Sequence, residues 1–235
     1  MARIPFVRLA AAALLLAMAG PAAAGALEIG PTTVQMIGPE RTATLRIKNI
    51  ADGDTTVQVR AVDWTQDQGK DVYTPSTTLL ASPPLVKLKP GESQVIRLVI
   101  ERTPPQPQEK AYRVILDEIP NPQEVNGAAV HQSIRALVPV FITSSTSARP
   151  NLKWSATRSG DGVVLTAANE GAMRERLIDL TLSANGAAVG PPMEGYVLSH
   201  ASRSWTVTAP AAVTSLSASA EGGFGTVKAD VPVGR

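Results

Sequence analysis

Polar and apolar residues alternate along most of this chain, the period-two pattern of strands with one buried face. In Thr42-Ala43-Thr44-Leu45-Arg46-Ile47-Lys48, apolar Ala43, Leu45 and Ile47 fall on one side and the polar residues on the other. Ala51-Asp52-Gly53-Asp54 reads as a turn. Thr55 to Trp64, rich in Val and Thr, reads as the next strand. Leu85 to Leu88 is a short strand closed by Lys89-Pro90-Gly91-Glu92, with Pro and Gly where a type II turn favours them. Ser93 to Glu101 follows, and Pro104-Pro105-Gln106-Pro107 breaks the pattern. Two long apolar strands come next, Ala111 to Pro120 and Ser133 to Ile142, across a Pro/Asn/Gly-rich loop. With an extended segment from Leu27 to Ile37, this makes about seven strands in about 120 residues, the spacing of a β-sandwich. No helical period competes.

Ser144 to Pro150 is a polar linker. Beyond it the pattern continues with weaker strands, clearest at Leu152 to Thr157, Gly162 to Asn169, Leu177 to Ala184 and Ser204 to Thr208. Ser159-Gly160-Asp161-Gly162 and Ala184-Asn185-Gly186 predict hairpin turns. The expected organisation is all-β, with one domain over residues 25–147 and a smaller sandwich over 148–235.

Residues 1–24 have the form of a secretory signal peptide. Arg3 and Arg8 make a basic start, Leu9 to Ala19 an apolar run, and Ala22-Ala23-Ala24 a small-residue cleavage site. Cleavage after Ala24 is the first choice and after Ala26 the second. The run is shorter than the roughly 20 apolar residues a bilayer span needs, and no later segment reaches that length. The expected mature chain is therefore exported and carries no integral membrane segment. Without Arg3 and Arg8, the 22 Lys and Arg residues fall to 20, equal to the 20 Asp and Glu. That balance argues against nucleic acid as a partner. The chain has 0 Cys, so no disulfide or thiolate metal site is possible.

The strands Ala111 to Pro120 and Ser133 to Ile142 resemble the signature segments of periplasmic pilus-assembly chaperones, the PapD-like family of the chaperone–usher pathway. Ser82-Pro83-Pro84-Leu85, then Leu88-Lys89-Pro90-Gly91-Glu92-Ser93-Gln94-Val95-Ile96-Arg97, resemble another family segment. So do Val59 to Gln66, Asn169-Glu170-Gly171 and Gly195-Tyr196-Val197-Leu198. Each string alone is common in sandwiches; their order and spacing carry the resemblance. Among subfamilies the chain is most similar to the archaic, spore-coat-U-associated branch. The resemblance implies two immunoglobulin-like sandwiches set at an angle and a periplasmic location. It also implies a role that needs no nucleotide, metal or other cofactor. In that role an edge strand completes a pilus or fimbrial subunit that lacks its final strand, and an outer-membrane usher receives the complex.

The resemblance assigns the last strand of the first domain as donor, with Val130, Gln132, Ile134, Ala136 and Val138 on one face. His131, Ser133, Arg135, Leu137 and Pro139 lie on the other, where Leu137 reads as ordinary core, as does Phe141. Val130 and Ile134 are expected to project into a subunit groove from a face exposed before binding. Pilin strand donation is a standard instance of β-augmentation. Better-known members hold the subunit's terminal carboxylate with two basic residues. Aligned onto this chain, those positions hold Thr33 and Pro139, which carry no charge. Arg113 is the first substitute anchor, since a guanidinium bonds both carboxylate oxygens. Arg97 is the second and Arg135 a weaker third. The bland alternative is a surface arginine paired with Asp117 or with a neighbour on the same face.

No catalytic constellation accompanies these strands, and no enzyme activity is expected. Motifs for acyl transfer, phosphate loops or dinucleotides are absent. Adjacent Asp117 and Glu118 point to opposite faces and cannot flank one bond. His131 and His200 have no ligand neighbours at metal spacing. Trp64, Trp154 and Trp205 are scattered along the chain and default to core packing. The competing reading is a structural or adhesive secreted surface protein built from the same sandwiches.

Overall fold

Where alternation meets a partner face, strands form. The protein, represented by a computed structural model, is described over residues 27–101, 108–119 and 133–234, and no helix occurs among them. The expected signal segment, Val130, His131 and Gln132 lie outside the described residues. The first ten strands are β1 (Leu27–Gly30), β2 (Val34–Ile37), β3 (Thr42–Asn49), β4 (Thr55–Asp67), β5 (Lys70–Pro75), β6 (Leu79–Ser82), β7 (Leu85–Leu88), β8 (Ser93–Ile100), β9 (Lys110–Ile119) and β10 (Arg135–Thr143). One sheet has the order β1-β3-β8-β6; the other runs β2-β10-β9-β4-β5, with β7 also paired to β4. The segment Leu27 to Ile37 is thus two strands, which cross from one sheet to the other. Between the sheets lies a core that includes Met36, Leu45, Ile47, Val57, Ile96, Leu98, Val114, Leu116 and Val140. Gly91 takes φ +76°, and Glu92 N donates to Lys89 O at 3.0 Å, as a type II turn requires.

The remaining strands are β11 (Leu152–Ser159), β12 (Gly162–Asn169), β13 (Glu175–Ala184), β14 (Ala187–Ala188), β15 (Met193–Val197), β16 (Ser202–Thr208), β17 (Ser215–Gly222) and β18 (Gly225–Gly234). Their order is β14-β13-β17-β18-β11-β12-β16, with β15 on β13. They enclose a second core around Leu165, Leu177, Leu180, Val197 and Leu216. Asn185 and Gly186 both have positive φ, the type I′ geometry of a tight hairpin. Trp154 and Trp205 are not scattered after all: they stack with centroids 6.3 Å apart.

A third cluster lies between the two cores. Trp64, Phe141 and Leu198 are buried together, with Ala111, Tyr196 and Ala201 packed on them. With half-buried Leu137 also outside the first core, Phe141 is therefore not part of the sandwich interior, although the apolar run implied that both were ordinary core. It sits on the outer face of its sheet and is covered by the second domain.

Candidate functional site

β10 pairs with β9 from Arg135 to Ile142. On its other side, β2 joins only from Val140 to Thr143. Residues 135–139 thus present an edge with no partner strand among the described residues. Just before it, Ile134 N donates to Glu118 Oε2 at 3.1 Å and Ile134 O accepts from Glu118 N at 2.9 Å. Ile134 and Ala136 are half-buried, and Ala136 packs against the first core. Val138 is only 5% exposed and belongs to that core. The face carrying Ile134, Ala136 and Val138 is accordingly not open along its length: it is already covered at Val138. The free backbone edge and the free side-chain face coincide only towards the start of the strand.

The outer face of this sheet follows from the register. Trp64 lies across from Tyr73 on β5. Arg113 stands between Val62 on β4 and Pro139 on β10. Ile115 stands between Arg60 and Leu137, and Asp117 between Gln58 and Arg135. Arg113 places its guanidinium carbon 3.9 Å from the Trp64 ring centroid and 5.8 Å from that of Tyr73. Its Nη1 donates to Leu137 O at 3.0 Å, and its Nε is buried with no hydrogen-bond partner. No carboxylate among the described residues pairs with it.

Asp117 does not pair with Arg113, contrary to the bland alternative. Four residues along a strand span about 13 Å, too far for contact. Asp117 instead accepts from Arg60 at 2.5 Å and from Arg135. Burial pushes its carboxyl up, but hydrogen bonds from the two arginines and their charges hold it below the ordinary range. Arg97 is exposed on β8, in the opposite sheet, and pairs across to Thr44 and Ser82. The fold therefore brings Arg113 and Arg135 to one face and leaves Arg97 on the far side of the sandwich.

Beside Arg113 the two domains are locked together. The β4–β5 hairpin turns on Gln68 and Gly69, both at positive φ, and Gly69 O accepts from Ser204 N at 3.0 Å. Gln66 donates to Tyr196 O at 2.7 Å and accepts from Leu198 N at 3.0 Å. Asp71 accepts from Trp64 Nε1 at 3.0 Å and Gln66 at 2.9 Å, and pairs with Arg203 at 2.5 Å. Glu109 pairs with Arg174, whose guanidinium lies 3.5 Å from the Phe141 ring centroid. Burial pushes Glu109 up, against the pull of Arg174. Alternation does hold a trace of this interface: Arg60, Val62, Trp64 and Gln66 share the face opposite Val57 and Val59. Nothing in the sequence announces Gln66 or Arg174 individually. Among the described residues, no three His, Asp or Glu gather as metal ligands.

The family model for the pili and flagellar-assembly chaperone PapD N-terminal domain matches residues 26–146, just over half of the chain. The uncharacterized fimbrial chaperone YhcA of Escherichia coli strain K12 is 24% identical over 181 residues, covering 75% of this chain and 77% of the relative. Among solved structures, the CsuC–CsuE chaperone–tip adhesion subunit pre-assembly complex comes from archaic chaperone-usher Csu pili of Acinetobacter baumannii. Its matching chain superposes with TM-score 0.72 at 24% identity, over 90% of this chain and 100% of that one. The complex of Salmonella enterica SafA pilin with the SafB chaperone gives TM-score 0.58 at 19% identity, over 86% of this chain and 95% of that one. The structural likenesses establish the fold, and the family model, with the edge strand and two-domain arrangement it accompanies, shows that this chain belongs to the PapD-like family of pili and flagellar-assembly chaperones.

Proposed function

We propose that this chaperone works in the periplasm and holds pilus or fimbrial subunits by lending them the free edge of β10, then passes them to an outer-membrane usher. The observation that carries this reading is the open edge at residues 135–139 beside Arg113, a half-buried guanidinium with no carboxylate partner among the described residues. A subunit missing a strand pairs its backbone with that edge. Its terminal carboxylate lies against Arg113, where a planar fork bonds both oxygens. Ile134 and Ala136 cover the adjoining apolar groove, with Val130 and Gln132 continuing the same alternation. Release needs no nucleotide, because another strand replaces the chaperone's. Long unpaired edges invite aggregation, so keeping one is consistent with a partner that covers it.

The test is co-expression with the small secreted subunits encoded beside an usher gene, followed by recovery of the complex from periplasm. A subunit should copurify with wild type and be lost with Arg113→Ala, while both chaperones melt cooperatively. Equal recovery from the two would remove Arg113 from the role.

A further inference from the structure

Arg60, Asp117 and Arg135 form a group that Arg113 alone does not explain. Two guanidiniums share one carboxylate, leaving one positive charge in excess. Asp117 is 15% exposed, whereas Arg60 and Arg135 are 44% and 66% exposed. Arg60 uses one Nη and Arg135 its Nε towards Asp117, so each retains N–H groups for a second acceptor. The surplus is local, since the chain without its basic N-terminus is formally neutral. The group stands at the start of the β10 edge, and Arg113 stands at its far end beside the second domain. Ile115 and Leu137 occupy the face between them.

Resting on the strand-lending reading, we propose that Arg60 and Arg135, oriented by Asp117, are a second anion site that takes an acidic side chain of the captured subunit. With Arg113 this site sets the register of the incoming strand. A strand whose carboxyl end reaches Arg113 runs parallel to β10 along the edge. Pro139, opposite Arg113, and Arg135, opposite Asp117, are four residues apart, about 13 Å. An acidic residue four positions before the subunit's last residue therefore falls beside the triad, on the same face. One position nearer, it turns to the opposite face of the sheet. Two charged points at a fixed spacing reject slipped pairings that a backbone edge alone accepts.

The probe is a short synthetic peptide of alternating Val and Thr with a free carboxyl end, carrying Glu or Gln four positions before its last residue. Binding is read by anisotropy of a neutral dye at low and high salt. The Glu peptide should bind wild type about fivefold tighter than the Gln peptide at low salt, as for an exposed ion pair. High salt should erase the difference. Moving Glu one position should erase it too, and so should the double variant Arg60→Gln, Arg135→Gln, with its melting checked. Asp117→Asn, which frees both guanidiniums, should widen the preference. Equal binding of the Glu and Gln peptides, with a carboxyl-amidated peptide still weaker, would overturn this site and leave Arg113 standing. If wild type binds none of the peptides, the edge reading falls and this inference falls with it.

Discussion

Arg113 sits over the indole of Trp64, its guanidinium carbon 3.9 Å from the ring centroid. Trp64 in turn meets Tyr196 of the second domain edge-on, at 5.4 Å between centroids. The guanidinium is thereby aimed by a residue whose own position depends on how the two domains dock. A planar cation on an aromatic face keeps its edge free for a carboxylate, which an ammonium in the same place does not do bidentately.

Arg113→Lys should therefore fail almost as badly as Arg113→Ala in subunit capture. Losing a contact that leaves a buried carboxylate unpaired costs on the order of 2–5 kcal/mol. The chaperone's own melting should change much less. A lysine variant that captures as well as wild type would show that charge alone suffices.

The two signature strands were legible because both of their faces carry apolar residues. One face of β9, with Tyr112, Val114 and Leu116, fills the sandwich, and on the other Ile115 is also buried. Alternation correctly grouped Ile134, Ala136 and Val138 on one face. It could not say that the face was already covered at Val138, because period two fixes which residues share a side and not what lies against it. Pro139, inside an apolar run, was the available sign of an edge strand. The final strands β17 and β18 were missed for a different reason. β17 buries Leu216, Ala218 and Ala220 between serines, and such small side chains give little polar contrast. The triad at Asp117 was invisible because it joins residues from three strands.

Charge at Val138 and at Ile134 should have opposite consequences. Val138→Asp places a carboxylate in the first core and should unfold the domain or lower its melting sharply, since a buried unpaired charge costs several kcal/mol. Ile134→Asp should leave a folded chaperone with weakened capture. Circular dichroism melts beside subunit recovery separate the two. A stable Val138→Asp protein would mean that this part of β10 is looser than its packing implies.

Asn169 and Gly171 explain why Asn169-Glu170-Gly171 stands out in the sequence. Asn169 is only 2% exposed, and it donates to Met173 O and Val197 O and accepts from Asn151 N and Gly171 N. A methyl group on Gly171 would lie 2.3 Å from Arg149 O and 2.6 Å from Asn151 N, both backbone atoms. Gly171→Ala should thus destabilise by roughly 1–3 kcal/mol, as overpacking does. Unchanged melting would show that the segment entering the second domain shifts freely.

Two carboxyl groups should shape stability against pH in opposite senses. Glu109 is pushed up by burial, so its contribution is complete below the ordinary glutamate value of 4.5 and declines as pH rises through its raised value. Asp117 is pushed up by burial but held lower overall by Arg60 and Arg135. Its contribution is complete above the ordinary aspartate value of 3.8 and is lost as pH falls through its lowered value. Asp117→Asn should flatten the acid-side loss, and Glu109→Gln the decline above it. Melting temperature measured across acid and neutral pH for the three proteins checks both slopes.

Gln66 reaches across from the first domain to the second through both ends of its amide. Its amide bridges Tyr196 O and Leu198 N and also touches Asp71, which anchors Trp64 and Arg203. Gln66→Ala removes a donor and an acceptor at once and leaves the two β15-side backbone groups without those partners. Each buried group left unsatisfied costs about 1–3 kcal/mol. Neither sandwich core includes Gln66, so each domain should keep its strands. What should loosen is their docking, and with it the placement of Trp64 beneath Arg113. The expected result is a chaperone with wild-type circular dichroism, a broader interdomain distance distribution between spin labels on the two domains, and weaker subunit capture. A distribution as narrow as wild type would show that Glu109–Arg174 and the aromatic cluster hold the angle without Gln66.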